Sequence, residues 1–309
     1  MNYFIQEALE IAEAPSKDAT HFAITNGGEI RYLIDLNHKS SRRRLAKNIS
    51  AYSSKLSLLL RLLIALPYRV FALLHIGKYV KVAPEQQIME VLNELKLDCW
   101  NVIVGSYVDK QKIVLQAFCS EGNDKSVYIK VGGKSSDCEM QTETQCLQQL
   151  SDSDLYTVPH LLMAQSMKVG KRFNIQVTEE FGGERVPPVM TEDIYKIFTS
   201  IIASKPAMRD DGEIKVFSHG DFTPWNMKKE GSQYVVFDWE YAGYRFYGFD
   251  LIHFLWQVEN KLNDQPEHEA FILAYQAASK LDSRVAAMSE EVLEKQYFDE
   301  LTKQFGEKH

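Results

Sequence analysis

The run Phe217 to Gly243, FSHGDFTPWNMKKEGSQYVVFDWEYAG, gathers His219, Asp221, Asn226, Asp238 and Glu240 among apolar neighbours. Asp221 and Asn226 stand five residues apart, and Asp238 follows twelve later at the end of YVVFD. Val235, Val236 and Phe237 read as a strand that ends at the acid. An acid at a strand end, facing an acid and an amide on the preceding loop, builds an oxygen-rich pocket. Such a pocket suits Mg²⁺, a hard cation bound by a few protein oxygens together with phosphate and water. Asn226 and Asp238 could then hold the metal, and Asp221 could accept a proton from a substrate hydroxyl. A lone Asp more often serves a turn or a helix cap, so the combined spacing carries the argument.

The elements that must position these residues follow from periodicity. FAITNGGEIRYLIDL reads as a hairpin turning at Asn26, Gly27 and Gly28, which tolerate positive φ. APEQQIMEVLNEL reads as a helix with Pro84 near its start. WNVIVGSYV, QKIVLQAFCS and KSVYIKVGG read as three strands, and SSDCEMQTETQCLQQL as a helix with Ser135 or Ser136 as its cap. RFNIQVTEEF is a further strand and TEDIYKIFTSIIAS a further helix; three helices are expected from Asp250 onward. The whole predicts an α+β protein with a β-rich lobe and an α-rich lobe.

HGDFTPWN, His219 to Asn226, resembles the H-x-D-x-x-x-x-N signature of aminoglycoside phosphotransferases and their choline-kinase-like relatives. VVFDWEYAG resembles that family's second signature, apolar residues followed by D-W-E, and YGFDL resembles the D-L pair that comes next. The resemblance covers roughly Asn101 to the C-terminus and leaves out the first hundred residues. It implies a protein-kinase-like bilobal fold, a β-rich N-lobe and an α-rich C-lobe, here with an extra N-terminal region. The expected divisions are 1–95 for that extension, 96–180 for the N-lobe and 181–309 for the C-lobe. It also implies ATP and Mg²⁺, with Asp221 as catalytic base and Asn226 and Asp238 on the metal.

The same resemblance asks for a strand lysine paired with a helix glutamate. Lys130 in SVYIKV and Glu143, thirteen residues on, answer it; Glu139 is the alternative partner. Gly105 and Ser106 stand where a phosphate loop would lie, though no G-x-G-x-x-G is present. Glu179, Glu180 and Phe181 fall at the expected hinge, where main-chain groups would meet an adenine edge. His219 and Asp250 are expected to brace the catalytic loop, and Trp225 and Trp239 to pack. H-R-D and D-F-G are missing, and the A-P-E at Ala83 to Glu85 stands far upstream of Asp238 rather than after it, which argues against a protein kinase.

Composition sets the remaining bounds. The chain has 309 residues and a net charge of -7, so general nucleic-acid binding is not expected. Its four cysteines form no C-x-x-C pair, which argues against a zinc site or a disulfide framework. The N-terminus lacks the basic start and apolar core of a signal peptide, so a cytoplasmic protein is expected. Residues 39–84 hold ten Lys and Arg and no acid, around LSLLLRLLIALPYRVFALLHIG. Arg61, Arg69, His75 and Pro67 argue against a membrane-spanning helix there. Two readings stay open: buried helices with solvated basic edges, or a peripheral helix on anionic lipid or an acidic partner. The acceptor is a small-molecule hydroxyl. No dense run of acids accompanies the site, which favours a metabolic or envelope-sugar acceptor over a polycationic antibiotic; an aminoglycoside- or choline-type kinase is an alternative. A catalytically inactive nucleotide-binding scaffold is the alternative from another class, although base, metal ligands and lysine are all present.

Overall fold

The structure is a computed structural model that describes residues 3–48, 67–105, 110–120, 126–150, 153–167, 171–210 and 212–306. The chain divides into two compact units, Met1–Thr144 with His160–Phe181, and Gln145–Pro159 with Gly182–His309. Helices and sheets are mixed, with one β-rich unit and one unit that holds most of the longer helices.

The first unit is built on nine strands: β1 (Leu9–Glu13), β2 (His21–Asn26), β3 (Glu29–Asp35), β4 (Gly77–Pro84), β5 (Cys99–Val104), β6 (Lys112–Phe118), β7 (Ser126–Gly132), and, after β8 (Tyr156–Thr157) of the second unit, β9 (Leu161–Gln165) and β10 (Asn174–Glu179). They form one antiparallel sheet in the order β1-β4-β2-β3-β5-β6-β7-β10-β9. The β2–β3 hairpin turns at Gly27 and Gly28, with φ of 59° and 84°, values that only glycine adopts without strain. Through β3 the N-terminal strands pair with β5, Tyr32 opposite Ile103, so residues 9–84 extend the sheet that holds Lys130.

Helix α1 (Tyr3–Ala8) precedes β1, and the basic segment holds α2 (Ser41–Asn48) and α3 (Tyr68–Leu73) among its described residues. The residues expected to run on as helix to Pro84 instead form β4 from Gly77. There GKYVKVAP alternates with period two and buries Val80 and Val82, which a helix would scatter around its circumference. Residues 49–66, the centre of the apolar run, lie outside the described residues. Among the described residues no helix is long and apolar enough to cross a membrane.

Helix α4 (Gln86–Leu95) starts at Glu85, whose side chain accepts from the Gln87 N–H, and ends where Lys96 turns left-handed at φ 57°. Ile88, Val91 and Leu92 pack on the sheet face that carries Val102, Leu115 and Ile129. Helix α5 (Asp137–Gln149) is preceded by a single 3₁₀ turn, Lys134–Ser136. The serine cap expected from sequence is not formed, because the Ser136 hydroxyl donates to the Gly133 carbonyl instead.

The second unit carries α6 (Glu192–Ala203), capped by Thr191, and then α7 (Phe249–Lys261), α8 (Glu267–Leu281), the single turn α9 (Ser283–Ala286) and α10 (Glu290–Phe305). Phe249, Phe254, Trp256, Phe271 and Tyr297 are buried among these helices. Two small sheets accompany them: β11 (Glu184–Arg185) with β14 (Met227–Glu230), β15 (Gln233–Val236) and β8; and β12 (Met208–Asp210) with β13 (Glu213–Ser218) and β16 (Gly243–Phe246).

Candidate active site

The second small sheet explains how the two signatures meet. Strand β13 leads into His219, and β16 follows Asp238 by a short turn. The two strands pair antiparallel, Ser218 opposite Gly243. The loop His219–Asn226 is thereby held against the segment Asp238–Ala242. Between them runs the β14–β15 hairpin, closed by a bond from the Phe237 N–H to the Asn226 carbonyl at 3.1 Å. Asn226 and Asp238 therefore flank the same end of one hairpin, although twelve residues separate them.

Asp250, buried at the first turn of α7, accepts from the His219 N–H at 2.7 Å and the Gly220 N–H at 3.0 Å. Gly220 has φ 88°, and a Cβ there would stand 2.1 Å from the Tyr241 carbonyl oxygen; only glycine fits. The His219 ring donates from Nε2 to the Phe237 carbonyl at 3.0 Å and accepts the Asp221 N–H at Nδ1 at 3.2 Å. Both nitrogens are committed to main-chain groups in the neutral form. Burial pushes its pKa below the usual histidine value, against the opposing fields of Asp250 and Asp221. Its geometry is that of a brace.

Asp221 keeps 19% of its side chain exposed, and both its oxygens are oriented. Oδ2 accepts from the Asn226 amide at 2.8 Å, and the same Nδ2 donates to the Asp221 carbonyl at 2.9 Å. With Nδ2 fixed on Asp221, the Asn226 oxygen Oδ1 is the atom turned elsewhere. Asp238 sits in the left-handed region, φ 69° and ψ 52°, a conformation that costs a non-glycine residue about 1–2 kcal/mol. That local strain turns the chain sharply at the acid. Trp239 is fully buried, stacks on Phe217 and donates to the Val236 carbonyl.

Three residues that the sequence reading did not name complete this loop. Arg245 on β16 is buried and donates to the Tyr241 carbonyl at 2.7 Å and to Gln304 at 3.0 Å. Burial pulls its pKa down, opposed chiefly by the charge of Asp250. Gln304 on α10 donates to the Gly220 carbonyl at 3.1 Å. His253 on α7 lies 3.0 Å from the second oxygen of Asp221. A signal for His253 was available: in GFDLIHF it stands three residues after Asp250, hence on the same helix face. Arg245 and Gln304 had none, since an arginine in a short strand and a glutamine near the C-terminus read as surface residues.

In the first unit, Val127, Ile129 and Val131 of β7 enter the core, so Tyr128 and Lys130 project to the opposite face. Lys130 meets Glu143 of α5 at 2.6 Å, and both side chains are largely buried. Glu139, the alternative partner, pairs with Lys110. Gly105 donates its N–H to the Lys112 carbonyl at 3.2 Å where β5 and β6 part, and a Cβ there would lie 3.0 Å from that oxygen. Ser106 lies outside the described residues. At the expected hinge, the Glu179 N–H bonds the His160 carbonyl and the Glu180 N–H bonds the Ser126 carbonyl. Those two N–H groups are engaged within the unit. The Glu180 carboxylate takes the Gln116 amide at 2.6 Å and Arg44 of α2 at 3.4 Å, and the Phe181 ring packs on Tyr128.

Residues 176–289 match the profile of the phosphotransferase enzyme family. This segment is similar to that family. It contains Asp221, Asn226, Asp238, Asp250 and His253, and it begins within β10. Among solved structures, the chain is similar to "Amicoumacin kinase hAmiN in complex with AMP-PNP, Ca2+ and Ami" at 11% identity, with a TM-score of 0.36. The alignment covers 64% of this chain and 78% of that one. No curated protein matches the sequence.

Proposed function

We propose that this protein, whose residues 176–289 match the phosphotransferase enzyme family, moves the γ-phosphoryl of ATP to a hydroxyl of a small molecule. The observation that supports this best is the oriented Asp221. Its carboxylate is held on one side by the Asn226 amide and on the other by His253, on a loop anchored to Asp250. A base fixed in this way accepts the acceptor's proton without first reorganising.

The donor set fits a divalent cation. Asn226 offers Oδ1, because its nitrogen is fixed on Asp221, and the Asp238 carboxylate stands at the same hairpin end. Oxygen donors of this kind suit Mg²⁺, which when bound neutralises charge on the phosphates. In the first unit, the Lys130 ammonium, oriented by Glu143, is suited to grip the nucleotide phosphates. The acceptor oxygen gives its proton to Asp221 and forms a bond to the γ-phosphorus. The bond from that phosphorus to the β–γ bridging oxygen breaks, and ADP departs.

For the acceptor, a metabolic or envelope-sugar hydroxyl is the reading we adopt, because the sequence around the loop holds no dense run of acids to meet a polycation. The test is MgATP turnover with a panel of hydroxyl acceptors, sugars included. Turnover should fall by about 10²–10⁴-fold in Asp221→Asn, with MgATP still bound in a thermal-shift titration. Turnover unchanged in Asp221→Asn would sink the reading. MgATP binding with no acceptor ever phosphorylated would instead favour an inactive scaffold. The cationic residues of 39–48 and 67–81 support peripheral contact with anionic membrane, which co-sedimentation with anionic vesicles checks.

A further inference from the structure

Behind Asp221 lies a second layer of polar side chains that phosphoryl transfer does not by itself require. His253 is fully buried on α7, with Nε2 at 3.0 Å from Asp221 Oδ1 and Nδ1 at 2.9 Å from the Tyr297 hydroxyl. Tyr297, on α10, is fully buried as well, and burial drives its phenol pKa well above the usual value. A carboxylate only accepts, so the imidazole proton facing Asp221 sits on Nε2. The Tyr297 hydroxyl meets the other nitrogen, Nδ1, and so sets the ring's orientation. Phe249 stacks on one side of the ring, 5.6 Å away with the planes 9° apart, and limits its rotation.

We propose that His253 and Tyr297 are positioning residues for Asp221. The tyrosine, bonded at Nδ1, holds the ring with its Nε2–H toward Asp221, and the histidine fixes Asp221 Oδ1. Asn226 holds Oδ2 in the same way. Together the two donors, one on each oxygen, fix the carboxylate plane. The chain thereby couples its last long helix to the loop that carries the base. This inference rests on Asp221 being the base.

The test uses the full chain with MgATP and follows ADP release, water serving as acceptor where no better one is known. Long-range ¹H–¹⁵N spectra of the histidine rings accompany it. The His253 ring should carry a proton on Nε2, and its signals should move in Asp221→Asn. His253→Leu should lose about 10- to 100-fold in kcat with the KM for MgATP unchanged. His253→Gln, whose amide can reach the same oxygen, should recover most of that loss. Should His253→Leu fail to fold, Tyr297→Phe carries the test and should show displaced His253 ring signals with reduced kcat. A ring with no proton on Nε2, or equal activity in the Gln and Leu variants, overturns the inference. An active Asp221→Asn overturns the underlying reading instead, so the two failures are distinguishable.

Discussion

Replacing Asp250 by Asn probes how the catalytic loop is held. The Asp250 carboxylate is buried and accepts two main-chain N–H groups, from His219 at 2.7 Å and Gly220 at 3.0 Å. Asn preserves the shape but has one acceptor oxygen, so its amide nitrogen must face one of those N–H groups. One charge-assisted hydrogen bond is lost, worth about 1.5–3 kcal/mol, and a buried donor is left without an acceptor, at about 1–3 kcal/mol. The two overlap, and the expected loss is about 2–4 kcal/mol. The negative charge that balances buried Arg245 disappears with it. Three of the four tryptophans, Trp225, Trp239 and Trp256, lie in the second unit, so fluorescence during urea unfolding follows that unit. With a slope of about 2–3 kcal/mol per molar, the midpoint should drop by roughly 1–2 M. Turnover should fall by about 100-fold, because a shift of about 1 Å in the loop misplaces Asp221. A midpoint within about 0.3 M of the parent would refute the reasoning. So would a lowered midpoint with full turnover, since the loop would then not depend on this anchor.

Three further outcomes are expected. Gly220→Ala should cost about 2–4 kcal/mol in the same unfolding assay, from left-handed strain and the clash of its Cβ with the Tyr241 carbonyl, and should abolish turnover; a stable, active variant would contradict the geometry. Lys130→Met should weaken MgATP binding by about 10- to 150-fold in calorimetry, the loss of one charged hydrogen bond, while leaving the unfolding of the second unit unchanged. His219 is held neutral by burial, so its folded pKa lies below the unfolded value of about 6.5. Its stabilisation is present above that pH and is lost as pH falls, because only the unfolded chain takes up the proton. Stability of the second unit should therefore drop by up to ~2 kcal/mol between about pH 7 and pH 5, and His219→Gln should flatten that slope.

Much of the site was legible because its residues are close in sequence. Asp221 and Asn226 share one loop, and a hairpin of local register returns the chain to Asp238. Lys130 was legible as the lysine of an alternating strand, and Glu143 as a helix residue at helical spacing from its alternative, Glu139. Choosing between those two acids needed coordinates. A difference of about one turn of α5 sends Glu143 to Lys130 and Glu139 to Lys110. The β13–β16 pairing was not legible, since EIKVFS and GYRF are short and only half buried. The strand at 77–84 was hidden by its basic and apolar surroundings, which read as more helix.

The sequence by itself determined the mixed α and β composition and the order of the elements that carry Asp221, Asn226, Asp238 and Lys130. Spacing within one loop or one hairpin is a local property, and short-range turn and strand preferences express it directly. Only the tertiary structure decided what else surrounds Asp221. His253 and Gln304 reach its loop from helices that begin about thirty to seventy residues away, and Tyr297 stands behind His253, a pairing made by the burial of helix faces. Such contacts depend on how whole helices pack, and no short window of residues encodes that.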